Sequence, residues 1–266
     1  MCFGVRDAID LTLRLTRQGP ITILGDLVHN ADVVAEMEAA GARRARQAEE
    51  VQTPAVLLTA HGTAKKVKAQ LRDQGRQVHD AACPLVKRVH LALNKLVGEG
   101  CHPVIIGQAG HVEVLGLVGD LREYSVVLTE DDLDSLEGRD RLGIVAQTTQ
   151  PLDHVRKLVE AIRRRFPGAD VHFIDTVCQP TKDRQEAMAR LAAECEIIVV
   201  VGDPDSNNSR KLTETARRFG RRAYQVAAAK DLRPEWFAGA RTVGLTAGTS
   251  TPDRIIDEVR TRLENL

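Results

Sequence analysis

The sequence predicts an α/β protein with largely parallel sheets, and three observations point to it. Short apolar runs rich in β-branched residues alternate with charged segments of helical periodicity; the runs at 21–24, 55–59, 103–106 and 197–201 each end at a glycine-bearing turn; and several of the segments between open on proline, as helices do. The runs are Ile21-Thr22-Ile23-Leu24, Ala55-Val56-Leu57-Leu58-Thr59, Pro103-Val104-Ile105-Ile106, Gly143-Ile144-Val145-Ala146, Ile197-Ile198-Val199-Val200-Val201 and Val243-Gly244-Leu245-Thr246. Helix starts are expected at Pro84-Leu85-Val86 and Pro151-Leu152-Asp153.

A chain of 266 residues suits two domains, or three units of about 90 residues. Lys+Arg 37 against Asp+Glu 37 leaves net charge +0, and 43% of the residues are hydrophobic. A disordered chain and a general polyanion binder are therefore not expected. Aromatics are only 3%, too few for a stacking platform, so no nucleic-acid partner is expected. No apolar stretch approaches the length of a membrane span, and the opening residues lack the pattern of a secretory signal. The expected location is the cytoplasm, with no membrane partner.

Ligands of open parallel sheets collect beyond the carboxyl ends of the strands, and here the unusual polar residues stand just after the apolar runs. Gly25-Asp26-Leu27-Val28-His29-Asn30 follows the first run and Ala60-His61-Gly62-Thr63 the second. Gly107-Gln108-Ala109-Gly110-His111-Val112-Glu113, Gln147-Thr148-Thr149, Gly202-Asp203-Pro204-Asp205-Ser206-Asn207-Asn208-Ser209 and Ala247-Gly248-Thr249-Ser250 follow the others. No sequence repeat is strong enough to establish duplicated domains.

The chain has five cysteines, an odd number spread far apart, which is not a secreted disulfide framework. Cys2, Cys83 and Cys178 each stand at a turn into a helix, where the dipole and unpaired amides favour thiolate. They lie roughly a third of the chain apart, one per third. Cys101 and Cys195 sit at the approach to apolar runs and read as small buried hydrophobes. The wide spacing leaves burial open for the other three as well. Should three thiolates meet, an iron–sulfur cluster is favoured over structural zinc, which usually takes four protein ligands at compact spacing.

His29, His61 and His111 share the post-strand setting, while the remaining histidines do not. Ser206, Asn207, Asn208 and Ser209 precede a helical segment, where short donors either cap the helix or bind an anion. Glu113 is a candidate proton carrier and Thr148 a candidate relay, although each alone also reads as a surface or turn residue.

These blocks, together with Cys2-Phe3-Gly4-Val5-Arg6-Asp7, Asp80-Ala81-Ala82-Cys83-Pro84, Asp175-Thr176-Val177-Cys178 and Thr246-Ala247-Gly248-Thr249-Ser250-Thr251-Pro252-Asp253, resemble the 4-hydroxy-3-methylbut-2-enyl diphosphate reductase family, also called LytB/IspH. The blocks fall in the family's order along nearly the whole chain. The resemblance implies a trefoil-like arrangement of three α/β domains around a central iron–sulfur cluster, with domains at 3–83, 84–174 and 175–252 and a C-terminal helix at 253–266 returning to the core. It implies reductive dehydroxylation of 4-hydroxy-3-methylbut-2-enyl diphosphate to isopentenyl and dimethylallyl diphosphate. By matching position, Cys2, Cys83 and Cys178 hold a 4Fe-4S cluster, and Glu113 with Thr148 handles the proton at the substrate hydroxyl. His29, His61, His111, Ser206, Asn207, Asn208 and Ser250 bind the diphosphate, and reduced ferredoxin or flavodoxin supplies electrons.

The chain departs from the family in several places. Only Met1 precedes Cys2, where members normally have a strand, and Val112, Leu115, Asn207 and Pro180 replace more usual proline, glutamate, serine and alanine. The alternatives are an iron–sulfur lyase or hydratase that needs no electron donor, and a non-catalytic diphosphate-binding paralogue.

Overall fold

The computed structural model describes residues 1–28 and 30–266, so the expectation for His29 lies outside the described residues. The first third of the chain runs α1 (Phe3–Thr16), β1 (Ile21–Leu24), α2 (Ala31–Ala39), β2 (Ala42–Ala45), β3 (Ala55–Leu58), α3 (Lys65–Asp73) and β4 (Gln77–Asp80). The second continues α4 (Pro84–Gly98), β5 (His102–Ile106), α5 (Val112–Val118), β6 (Ser125–Val127), β7 (Arg141–Ala146), α6 (Leu152–Arg165) and β8 (Asp170–Phe173). The last holds α7 (Gln179–Glu194), β9 (Ile197–Val201), α8 (Asn207–Arg218), β10 (Arg222–Val226), β11 (Val243–Ala247) and α9 (Asp253–Glu264).

The strands form three sheets ordered β2-β1-β3-β4, β6-β5-β7-β8 and β10-β9-β11, and every pairing is parallel. The expected α/β class is therefore the one observed. Two compact units divide the chain: Asp7–Leu27 with Gly41–Thr181 holds the first two sheets, and Met1–Arg6, Val28–Ala40 and Lys182–Leu266 hold the third.

Parallel strands are covered on both faces, so their interior members are apolar throughout rather than alternating. In β9, Ile198 and Val200 pack with Met188, Ala192, Leu212 and Ala216 on one face, while Val199 and Val201 pack with Leu232, Ile255 and Val259 on the other. Likewise Val104 and Ile106 of β5 meet Val155, Leu158 and Ile162 of α6, and Ile105 meets Val89, Leu93 and Leu96 of α4. Fully burying each such side chain contributes about 1.5–3 kcal/mol.

All six apolar runs are strands. Among the described residues, the five strands that the runs did not indicate, β2, β4, β6, β8 and β10, are all edge strands, and most carry charged or polar residues such as the Ala42-Arg43-Arg44-Ala45 of β2. Half-exposed edges have no need of continuous apolar sequence.

Cys101 is buried at 4% exposure and packs in the α4 layer, as its context suggested, whereas Cys195, expected to be buried too, is only half-buried. Opposite it, a Cβ added to Gly143 of β7 would stand 2.8 Å from the Cβ atoms of both Cys101 and Leu96. Neither atom can rotate away. Gly143→Ala is expected to destabilise the protein by about 1–3 kcal/mol, read as a lower urea midpoint; an unchanged midpoint would mean that α4 is not pressed onto β7.

Candidate active site

Each of the three helix-start cysteines is held by its own backbone. The Cys83 N–H donates to the Ala60 carbonyl and the Cys2 N–H to the Thr249 carbonyl, both at 3.0 Å, and the Cys178 N–H donates to the Thr148 carbonyl at 3.1 Å. Each carbonyl belongs to a loop just beyond a strand. Each cysteine carbonyl in turn accepts the first bond of its helix, from Arg6, Lys87 and Thr181. Asp80 and Asp175 prepare the two internal turns: Asp80 Oδ1 accepts from the Ala82 N–H at 2.9 Å and Asp175 Oδ1 from the Val177 N–H at 3.1 Å. The same Asp-x-x-Cys spacing thus makes the same turn twice, a repeat too short to identify in sequence.

Beyond β5 and β7 the chain brings Glu113 and Thr148 together. Glu113 is 1% exposed; one carboxylate oxygen accepts the Thr148 N–H and the other the Thr148 hydroxyl, each at 2.7 Å. Burial raises its pKa to about 7, against the lowering effect of those two Thr148 bonds. Removing a carboxylate from water favours its neutral form, and here burial prevails. The His111 ring caps α5, its Nδ1 accepting the Glu113 N–H at 3.1 Å, so the neutral ring carries its proton on Nε2.

His61 lies edge-on to His111, with ring centroids 5.9 Å apart. The turn after His61 requires glycine: Gly62 has φ +83°, and a Cβ there would come within 2.9 Å of His90 Nε2. The Gly62 carbonyl in turn lies 2.9 Å from where a Cβ on Gly116 of α5 would stand, which fits the loop closely against that helix. A continuous path therefore runs from Cys83 through Ala60, His61, His111, Glu113 and Thr148 to Cys178.

The other unit carries its own cluster. Ser206 caps α8, its hydroxyl accepting from the Ser209 N–H and hydroxyl, and Asn208 Oδ1 accepts the Thr249 N–H at 3.0 Å. Ser209 is wedged where no side chain fits on Gly202 or Gly248; a Cβ on either would lie within about 2.2 Å of its hydroxyl. Asn207 is 8% exposed, and its buried Nδ2 has no hydrogen-bond partner among the described residues. An unanswered buried donor costs about 1–3 kcal/mol, so this position suits an anionic ligand that supplies the acceptor. Ser250 is buried directly after Thr249.

None of the five cysteines forms a disulfide. Among the described residues no three His, Cys, Asp or Glu side chains are grouped tightly enough to hold one metal ion. A four-iron cube is larger than an ion and spreads its thiolates further, so the donors are judged by their chemistry. Cys2, Cys83 and Cys178 are half-buried helix starts, and Cys178 Sγ lies 3.1 Å from the Thr181 hydroxyl. Cys101 and Cys195, by contrast, have thiols pushed up by burial, which disfavours the thiolate a cluster needs. The three residues fit the group; the other two do not.

A family model described as "LytB protein" matches residues 1–264. The chain belongs to the LytB family. Among its relatives, the 4-hydroxy-3-methylbut-2-enyl diphosphate reductase of Methylibium petroleiphilum is 41% identical over 100% of this chain and 82% of the relative. That of Ralstonia nicotianae is 37% identical over 100% and 84%. Among solved structures, the E-1-hydroxy-2-methyl-but-2-enyl-4-diphosphate reductase of Plasmodium falciparum superposes with TM-score 0.93 at 25% identity, covering 100% of this chain and 85% of that one. A second, titled (E)-4-hydroxy-3-methyl-but-2-enyl diphosphate reductase, the terminal enzyme of the non-mevalonate pathway, gives 0.72 at 35% identity, covering 100% and 96%.

Sequence reasoning missed Gln147. Fully buried, it accepts from the Gln108 N–H at 3.0 Å and donates to the Thr149 hydroxyl at 3.1 Å, tying the loop after β5 to the loop after β7. Its neighbour Thr148 drew attention instead. The unusual Leu115 is exposed, whereas Glu113 two residues earlier points inward, so that departure leaves the acid's burial intact.

The raised pKa makes a stability prediction. Because the folded value of about 7 exceeds the ordinary carboxyl value of 4.5, Glu113 contributes stability that is complete below about 4.5 and lost as pH rises through about 7. Relative to the native chain, Glu113→Gln should therefore gain on the order of 3 kcal/mol between those pH values and then level off. Denaturant unfolding across pH measures this, and a pH-independent difference would show that Glu113 is not held neutral.

Proposed function

We propose that this chain reduces 4-hydroxy-3-methylbut-2-enyl diphosphate to isopentenyl and dimethylallyl diphosphate, the reaction for which its relatives are named. Two electrons and two protons enter, the carbon–oxygen bond to the hydroxyl breaks, and water leaves. The observation that carries this reading is the buried Glu113–Thr148 pair, an acid poised near neutrality and one hydrogen bond from the loop that holds Cys178.

Cys2, Cys83 and Cys178 would hold a 4Fe-4S cluster. When bound, such a cluster supplies electrons and one iron open to a substrate oxygen. The protein's own residues do the rest. Glu113 holds a proton at its carboxyl and passes it to the departing hydroxyl, directly or through the Thr148 hydroxyl, and water becomes the leaving group. His61, His111, Ser206, Asn207, Asn208 and Ser250 bind the diphosphate, with His29 assigned beside them from sequence. His111 offers its Nε2–H, and Asn207 its unanswered Nδ2, to phosphate oxygens, where bonds to charge are roughly twice as strong as neutral ones.

Reduced ferredoxin or flavodoxin is the proposed donor and the cytoplasm the proposed location; among the described residues no helix is long and apolar enough to cross a membrane. Domains at 3–83, 84–174 and 175–252, with a helix at 253–266, belong to the same proposal, supported by the way each sheet falls within one segment.

The test is product analysis on anaerobically reconstituted protein. The native chain should yield both products only when dithionite is present. Glu113→Gln should lower kcat by about 10²–10⁴-fold while retaining affinity for isopentenyl diphosphate. Turnover without reductant would favour a lyase, and an undiminished Glu113→Gln would remove the proton assignment.

A further inference from the structure

The turn that carries His61 leads into a helix with little of its own to hold it. One backbone bond closes the turn, from the Gly62 N–H to the Thr59 carbonyl at 3.3 Å. The following helix, α3, reads Lys-Lys-Val-Lys-Ala-Gln-Leu-Arg-Asp, and Leu71 is its buried member. It starts after Ala64, whose side chain has no oxygen to cap it. The first N–H groups of a helix have no acceptor within it, so theirs must come from elsewhere.

It comes from the far end of α5. Asp120, just past that helix, accepts the Lys65 N–H at one carboxylate oxygen at 2.6 Å and the Lys66 N–H at the other at 3.0 Å. An ordinary cap is the residue adjoining its helix; this one is supplied from 54 to 55 residues away. Two glycines permit the approach. A Cβ on Gly116 would stand 2.9 Å from the Gly62 carbonyl oxygen, and one on Gly119 would stand 2.6 Å from the Ala64 Cβ. Gly116, Gly119 and Asp120 follow helical spacing, so one side of α5 meets the chain from Gly62 to Lys66. Elsewhere on α5, Val114, Leu117 and Val118 are buried with Val89 and Leu93 of α4. The helix is thus fixed by the core, and the turn is fixed by the helix.

The other end of α5 begins at the His111 cap and Glu113. One short helix therefore sets His111 from its first residue and the His61 turn from its last, leaving the two rings 5.9 Å apart. We propose that Asp120 is a positioning residue for diphosphate binding: by capping α3 from the end of α5, it holds His61 in place beside His111. The role rests on the assignment of His61 and His111 to the diphosphate.

The experiment uses anaerobically reconstituted holoenzyme. Asp120→Ala should raise KM for 4-hydroxy-3-methylbut-2-enyl diphosphate and Kd for inorganic diphosphate about tenfold each, with kcat kept within about threefold. Glu113 and Thr148 are not displaced, and His61 serves the diphosphate equally before and during the chemical step. Removing a negative charge would by itself favour an anion, so weaker binding reports displacement rather than charge. Tm should fall by about 2–4 °C. Adding Ala64→Ser to Asp120→Ala gives α3 a cap of its own, unconnected to α5; it should restore Tm while KM and Kd stay raised. Unchanged or tighter diphosphate binding in Asp120→Ala, or recovery of KM and Kd together with Tm in the double variant, would overturn the proposal. A native holoenzyme that binds diphosphate but forms no product would contradict the reductase reading alone, the Kd comparison still deciding the role of Asp120. One that binds no diphosphate would overturn both.

Discussion

The proposed site depends on where three backbone N–H groups point. A thiolate at a helix start is useful only if its Cα is fixed, and here Cys2, Cys83 and Cys178 are fixed by single hydrogen bonds to Thr249, Ala60 and Thr148. Each bond contributes only about 0.5–1.5 kcal/mol to stability. Its larger effect is geometric, because each acceptor belongs to the loop that carries a ligand-binding candidate: Ala60 precedes His61, Thr249 precedes Ser250, and Thr148 is itself the partner of Glu113. In the proposed reading, metal donors and substrate donors are therefore placed by the same rungs and cannot drift independently.

The second constraint is electrostatic. A carboxyl beside two Thr148 donors would ordinarily be a strong acid, yet burial outweighs those bonds and leaves Glu113 near neutrality. A group that titrates near the working pH can both hold and release a proton. The Thr148 hydroxyl and N–H orient the carboxylate without supplying the full positive charge that would keep it ionised.

The central scaffold was legible because burial on both faces demands continuous apolar sequence, as in the Ile197 to Val201 run of β9. Edge strands such as β4, Gln77-Val78-His79-Asp80, gave no such pattern, since one side of each faces no strand. Post-strand placement identified His61, His111, Glu113 and Thr148, because the carboxyl ends of parallel strands are where side chains converge. Gln147 stood in a post-strand block, but its role was not legible: a buried amide that bridges two loops looks in sequence like any polar loop residue. The triple recurrence of the cysteine rung was hidden for a related reason, since it resides in backbone bonds that many sequences make equally well.

The central claim is that three distant sulfurs hold one inorganic cluster while Cys101, which is buried, and Cys195, which is half-buried, hold none. Iron and acid-labile sulfide content, measured on anaerobically prepared native, Cys83→Ser, Cys178→Ser and Cys101→Ser proteins, tests it most directly. The account predicts about four iron and four sulfide per chain in the native and Cys101→Ser proteins, with loss of both in the other two. Sulfide-free native protein, or loss of iron from Cys101→Ser alone, would contradict it.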